Sequence, residues 1–87
     1  MNYLALCYAK RRMFELAART LEEALKEKLI FDDEKKELVY NYAGVLEQMG
    51  KNAEAVNQLQ EIYAVDIGYK DVEARVNKFF DSQQAQQ

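Results

Sequence analysis

The chain of 87 residues lacks histidine and proline, and it contains one cysteine and three glycines. Without histidine it has no imidazole to serve as general base or metal ligand, and it shows no glycine-rich phosphate-binding loop. The sequence therefore predicts neither an enzyme nor a metal or cofactor site. The single cysteine, Cys7, excludes an internal disulfide and is expected to be a small core residue of a helix.

The lack of proline leaves long stretches free of helix breakers. Alanine, leucine, glutamate, lysine and glutamine dominate the rest, and all are good helix formers. Hydrophobic residues make up 49% and charged residues 31%, which is typical of a chain that folds. The sequence predicts one small all-α domain over residues 1–87.

No apolar run approaches the roughly 20 residues that cross a bilayer, and the N-terminus has no secretory profile. The formal net charge of −3 argues against a surface that neutralises phosphates. One short basic run, Lys10-Arg11-Arg12, is expected at a helix C-terminus, where the macrodipole favours cations. We expect a cytoplasmic protein without nucleic-acid partners or membrane insertion.

Apolar residues at helical spacing predict five helices. The first ends at a turn near Arg12, and the second runs from Phe14 to about Lys28. The acidic run that starts at Asp32 predicts the N-cap and first turn of the third helix, and Gly50 is expected to close that helix in a left-handed conformation.

The remaining helices are predicted from caps and periodicity. Asn52 is expected to cap the fourth helix, and Gly68 to end it. Residues 70–81 predict a fifth amphipathic helix, and the polar residues 82–87 a frayed tail.

The first pair of helices aligns with the second at one constant distance along the chain, which we call the repeat offset. The same shift carries Ala17 onto Ala55 and Leu4 onto Tyr42. Internal periodicity of this size indicates stacked repeats. Four small residues among the matched positions are predicted contact points, because two helices approach closely where one of them offers alanine: Ala5, Ala17, Ala43 and Ala55. The matched positions are Met1, Leu4, Ala5, Tyr8, Ala17, Leu21 and Ala24, and Val39, Tyr42, Ala43, Leu46, Ala55, Leu59 and Ile62.

The spacing Leu4-Ala5-x-x-Tyr8, followed by Ala17-x-x-x-Leu21-x-x-Ala24, resembles the tetratricopeptide repeat over residues 1 to about 68. The chain departs from that pattern in lacking tryptophan and proline, and in an offset longer than the usual ~34 residues. The resemblance implies a right-handed α-solenoid of two antiparallel helix pairs. Its parts would be repeat 1 (1–31), repeat 2 (32–68) and a capping helix (69–81).

In such an array the first helix of each pair lines a concave groove. The resemblance therefore implies a protein-interaction module that binds a peptide or helical segment of a partner. Tyr40 is the candidate anchor, with the alternative that it packs at the edge of the core against a neighbouring helix. The glutamates flanking it favour a basic or mixed-charge segment. The candidate partner-binding residues are Asn2, Leu6, Ala9, Lys10, Glu37, Tyr40, Asn41, Gly44, Glu47 and Gln48.

Two repeats are fewer than the three that usually form a stable array. We therefore expect either a piece of a longer repeat protein or a chain that completes its core by self-association. In the second case the protein would be a structural homo-oligomerisation module. It would pair through the surface of residues 1–7 or through Phe79 and Phe80.

Overall fold

The computed structural model describes residues 2–85 of the chain and the side chains of residues 4–81. Over that range it contains five α-helices and no strand, so the all-α prediction is confirmed. None of the helices in this range is long and apolar enough to cross a lipid bilayer. The helices are α1 (Asn2–Lys10), α2 (Phe14–Glu27), α3 (Asp33–Gln48), α4 (Asn52–Val65) and α5 (Val72–Ala85).

The helix boundaries recur with the repeat offset found in the sequence. Helices α2 and α4 begin at Phe14 and Asn52, which are separated by that offset, and their ends at Glu27 and Val65 are separated by the same distance along the chain. The ends of α1 and α3 are related in the same way. The two helix pairs therefore match in the lengths of their second helices and of the turns inside each pair.

The turns after α1 and α3 share one backbone conformation. Arg12 has φ of 62°, and Gly50, which the repeat offset places at the equivalent position, has φ of 80°. Such a left-handed residue after a helix allows the next N–H to reach back to the third-last helical carbonyl. These bonds are Met13 N–H to Tyr8 O and Lys51 N–H to Leu46 O, each 2.9 Å. The predicted role of Gly50 is confirmed.

The linker between α2 and α3 is fixed by polar contacts around Asp32. Its Oδ1 accepts the backbone N–H of Lys35 at 3.0 Å, which confirms the predicted N-cap. The Lys28 ammonium lies 3.0 Å from Asp32 and 3.2 Å from Glu34. The backbone hydrogen bond, followed by the contact with Lys28, lowers the pKa of Asp32.

Three predicted boundaries are wrong. Asn52 is the first helical residue of α4, since the reversal at Gly50 places the following residue at the cap position. Helix α4 ends at Val65, where the chain becomes extended, so Gly68 lies in the turn beyond it. Helix α5 continues to Ala85 because the glutamines after residue 81 are good helix formers and nothing in that stretch breaks the helix.

Consecutive helices pack against each other, and α1 also contacts α3. Two buried clusters result, and α3 contributes to both: Leu38 and Val45 face α1 and α2, whereas Val39 and Ala43 face α4 and α5. The four small residues predicted as contact points are at most 1% exposed, which confirms their burial: Ala5, Ala17, Ala43 and Ala55.

Leu4 does not belong to the core that its matched position predicted. It is 45% exposed, whereas its counterpart Tyr42 is half-buried between α2 and α3 and donates a hydrogen bond to Glu22 at 2.5 Å. The difference arises because α1 packs only on α2 and α3 in the described part of the chain, so the side of α1 that carries Leu4 is uncovered.

Candidate partner-binding site

An open groove of about 640 Å³ lies where the end of α1, the turn after it, the start of α2 and the end of α3 meet. Four of the predicted partner-binding residues line it together, three from α1 and one from α3. The full lining is Leu6, Cys7, Ala9, Lys10, Arg12, Phe14 and Gln48.

A second depression of about 420 Å³ lies beside the groove and shares Cys7 and Lys10 with it. Its other lining residues are Leu4, Tyr8, Arg11 and Met13. We call the two depressions together the α1 face. Cys7 is half-buried in this face and is not the core residue that the sequence predicted.

The α1 face carries apolar side chains that the described part of the chain leaves exposed. Leu4, Leu6 and Met13 are each between 42% and 46% exposed. Apolar side chains of this size, clustered and not scattered singly, are typical of surfaces that contact another molecule. Sequence reasoning reached Leu6 through the predicted groove, but it assigned Leu4 to the core.

The charges on the α1 face have one sign. Lys10, Arg11 and Arg12 line it, and no carboxylate among the described side chains lines either depression. None of the three forms an ion pair with another side chain that the structure describes. Lys10 is the last residue of α1, which agrees with the prediction that the basic run lies at a helix C-terminus. The negative end of the helix dipole favours a cation at that position.

Arg12 is a groove residue that sequence reasoning placed only in a turn. Its left-handed conformation costs about 1–2 kcal/mol for a residue with a side chain, and glycine adopts it freely. The second helix pair has Gly50 at the equivalent position. The repeat offset relates Gly50 to Arg12, so the sequence alone could have shown that arginine stands where the other turn has glycine.

On the second helix pair, Tyr40 is engaged by the segment that leads into α5. Its hydroxyl donates to Asp71 Oδ1 at 2.5 Å, and its ring meets that of Tyr69 edge to face, with centroids 6.1 Å apart. The Lys70 ammonium and the Arg75 guanidinium lie 4.6 Å and 5.2 Å from the ring centroid. Burial, followed by the bond to Asp71, raises the pKa of Tyr40.

Glu47 is engaged by the same segment. Arg75 Nη2 lies 2.5 Å from Glu47 Oε1, beside a depression of about 360 Å³ that Lys78 and Phe79 also line. Burial has the largest single effect and lowers the pKa of Arg75, but the hydrogen bond and charge of Glu47, together with Tyr40, outweigh it, so that the net shift of the pKa is upward. Residues of α5 and its leading turn therefore cover the part of α3 that carries Tyr40 and Glu47.

The other predicted residues of α3 do not line the α1 face. Glu37 is exposed, Asn41 is half-buried and has intramolecular contacts, and Gly44 is half-buried with open space on its Cβ side. The side chain of Asn2 lies outside the described residues. The structure thus brings four of the ten predicted residues into one groove: Leu6, Ala9, Lys10 and Gln48.

Among the described side chains, no three that could ligate a metal ion come together. Comparison of the chain with protein-family models, with curated proteins and with solved structures finds no significant match.

Proposed function

We propose that this chain is a protein-interaction module of the tetratricopeptide-like class, which binds a peptide or helical segment of a partner on the α1 face. The observation that carries the proposal is the open groove of about 640 Å³ in which Leu6, Ala9, Lys10 and Gln48 meet. Its lining combines exposed apolar side chains with a few polar groups, as recognition sites commonly do.

Three features support the repeat architecture. The helix boundaries recur with the repeat offset, the turns inside the two pairs have the same left-handed residue, and alanines are buried at equivalent positions. A right-handed solenoid of two helix pairs, with α5 as the cap, accounts for all three. In that arrangement the inner face of the second pair is covered by α5, and the inner face of the first pair is left to a partner.

We propose binding and not catalysis as the activity of this surface. Burial, followed by the hydrogen bond to Glu22, strongly raises the pKa of Tyr42. That bond joins α2 to α3 outside the α1 face, so the perturbed group has a structural role and lines neither depression of that face.

A selection with matched variants tests the site. A displayed peptide library is selected on the wild-type chain, and the enriched peptides are then measured against Leu6→Glu and Leu29→Glu. Both leucines are exposed, at 42% and 90%, but only Leu6 lines the groove. The peptides should bind wild type and Leu29→Glu and lose at least about tenfold in affinity for Leu6→Glu. Equal binding to all three chains would place the site elsewhere.

Homo-oligomerisation is the second candidate, and the exposure of Leu4 and Met13 beside each other favours it. Sedimentation over a concentration series distinguishes the two functions. A monomer at all concentrations supports a module for other proteins. A dimer that Leu4→Glu dissociates would support self-association instead.

A further inference from the structure

We infer that the partner segment is an acidic amphipathic helix and that Arg12 is the residue that selects it. The inference rests on the proposed function, because it concerns the chemistry of whatever occupies the α1 face.

The first step concerns charge. The chain as a whole has 15 acidic and 12 basic residues, yet among the described side chains the two depressions are lined by three cations and no carboxylate. The cations are Lys10, Arg11 and Arg12, which lie at the end of α1 and in the turn after it. A partner with carboxylates along one side would meet complementary charge there, whereas a basic segment would be repelled.

The second step concerns the apolar part of the face. Phosphate groups of a nucleic acid would contact the cations but would leave Leu4, Leu6 and Met13 uncovered. An amphipathic helix presents apolar side chains at intervals of three and four residues and can carry carboxylates beside them. It therefore matches both the apolar side chains and the cations of the α1 face, which a nucleic acid does not.

The third step concerns Arg12. The backbone of its turn works equally well with glycine, as the equivalent turn at Gly50 shows by closing with the same hydrogen bond. A residue that keeps a side chain in a left-handed conformation stores strain, and strain of this kind is typical of functional sites. The Arg12 side chain lines the groove and can contact a partner there. The energy of that contact would offset the strain of the backbone.

The test is a library of displayed amphipathic helices of about 16 residues, a length that spans four turns. Leucines are fixed on one face, and the flanking positions vary among glutamate, lysine, glutamine and serine. Selection on the wild-type chain should enrich glutamate at the flanking positions. Enrichment of lysine, or no charge preference, would overturn the inference while leaving the proposed function intact. Failure to enrich any clone would overturn the inference, and the peptide selection described above would then decide the proposed function.

Two variants with the same change in charge assign the role to Arg12. Arg12→Gly introduces the residue of the equivalent turn, and Arg19→Gln removes a charge from an exposed position of α2 outside the α1 face. Arg12→Gly should weaken the enriched acidic helix at least about tenfold, and Arg19→Gln less than about twofold. Equal losses would show a nonspecific effect of net charge and would overturn the role of Arg12.

Stability and competing ligands complete the test. Arg12→Gly should melt at the same temperature as the wild type or higher, because glycine removes the strain, and a lower melting temperature would show that Arg12 is structural.

Binding of duplex DNA or of anionic phosphatidylserine vesicles as tightly as the acidic helix would identify phosphate as the ligand and refute the inference.

Discussion

Replacing Ala55 with leucine tests whether the helix pairs pack through small residues. Ala55 is fully buried in the cluster that contains Val39, Ala43 and Leu59. If room existed for the larger side chain, its burial would stabilise the fold by about 2 kcal/mol. Where no room exists, overpacking costs about 1–3 kcal/mol. The two outcomes have opposite signs, so the experiment decides between them.

We expect destabilisation, because Ala55 has no exposed surface through which a leucine side chain could escape. For a domain of this size, each kcal/mol lowers the melting temperature by roughly 4–8 °C. Thermal and urea unfolding followed by far-ultraviolet circular dichroism measure the change. Ala53→Leu is the matched control, because Ala53 is exposed on the same helix and its replacement should change stability by no more than about 0.5 kcal/mol.

The equivalent substitution Ala17→Leu should destabilise the first helix pair in the same way, since Ala17 is also fully buried. A melting temperature for Ala55→Leu that equals or exceeds that of Ala53→Leu would refute the close packing of α4 against its neighbours. If Ala17→Leu were neutral while Ala55→Leu was not, the two helix pairs would not be equivalent in packing.

Three further predictions concern glycines, the contact with α5, and pH. Gly44→Ala should stabilise the protein by about 0.5–1 kcal/mol, since a methyl group there meets no atom within 4 Å. Gly50→Ala should destabilise it because φ is positive there, and urea unfolding that gave both variants the same sign would contradict this. Arg75→Gln, which removes the ion pair with Glu47, should cost about 1 kcal/mol or less and speed hydrogen exchange in α5 but not in α1. Uniform exchange would contradict the local effect. Burial and its hydrogen bond raise the pKa of Tyr42 above 10.0, so its contribution to stability is complete below pH 10 and declines as the pH rises further. Tyr42→Phe should therefore lose less stability above pH 10 than wild type, and identical losses in alkaline urea titrations would refute the assignment.

The features of the fold that could be predicted from the sequence depend on nearby residues. The helices follow from apolar periodicity, the cap at Asp32 from an aspartate before a helical run, and the turn at Gly50 from glycine's freedom at positive φ. The repeat offset needed only a comparison of the chain with itself, and it extends to the helix boundaries. Local signals placed the N-cap of α4 one residue too late, at Asn52 instead of Lys51.

The covered surface of α3 could not be predicted in this way. The contact of Tyr40 with Asp71 joins residues 31 positions apart, and its formation depends on how α5 lies against α4. The sequence left two alternatives for Tyr40, an anchor for a partner or a tyrosine packed at the edge of the core, and its contacts match the second. The exposure of Leu4 was missed for a related reason, because periodicity identifies an apolar face but not what covers it.

The contacts that α5 and the turn before it make with Tyr40 and Glu47 have a thermodynamic consequence for any ligand of that surface. Such a ligand would compete with a segment that is covalently attached and always present. Its apparent affinity would be the intrinsic affinity reduced by the fraction of molecules in which α5 is detached. A change that loosened α5 would thus strengthen binding there without altering a single atom of the ligand's own contacts.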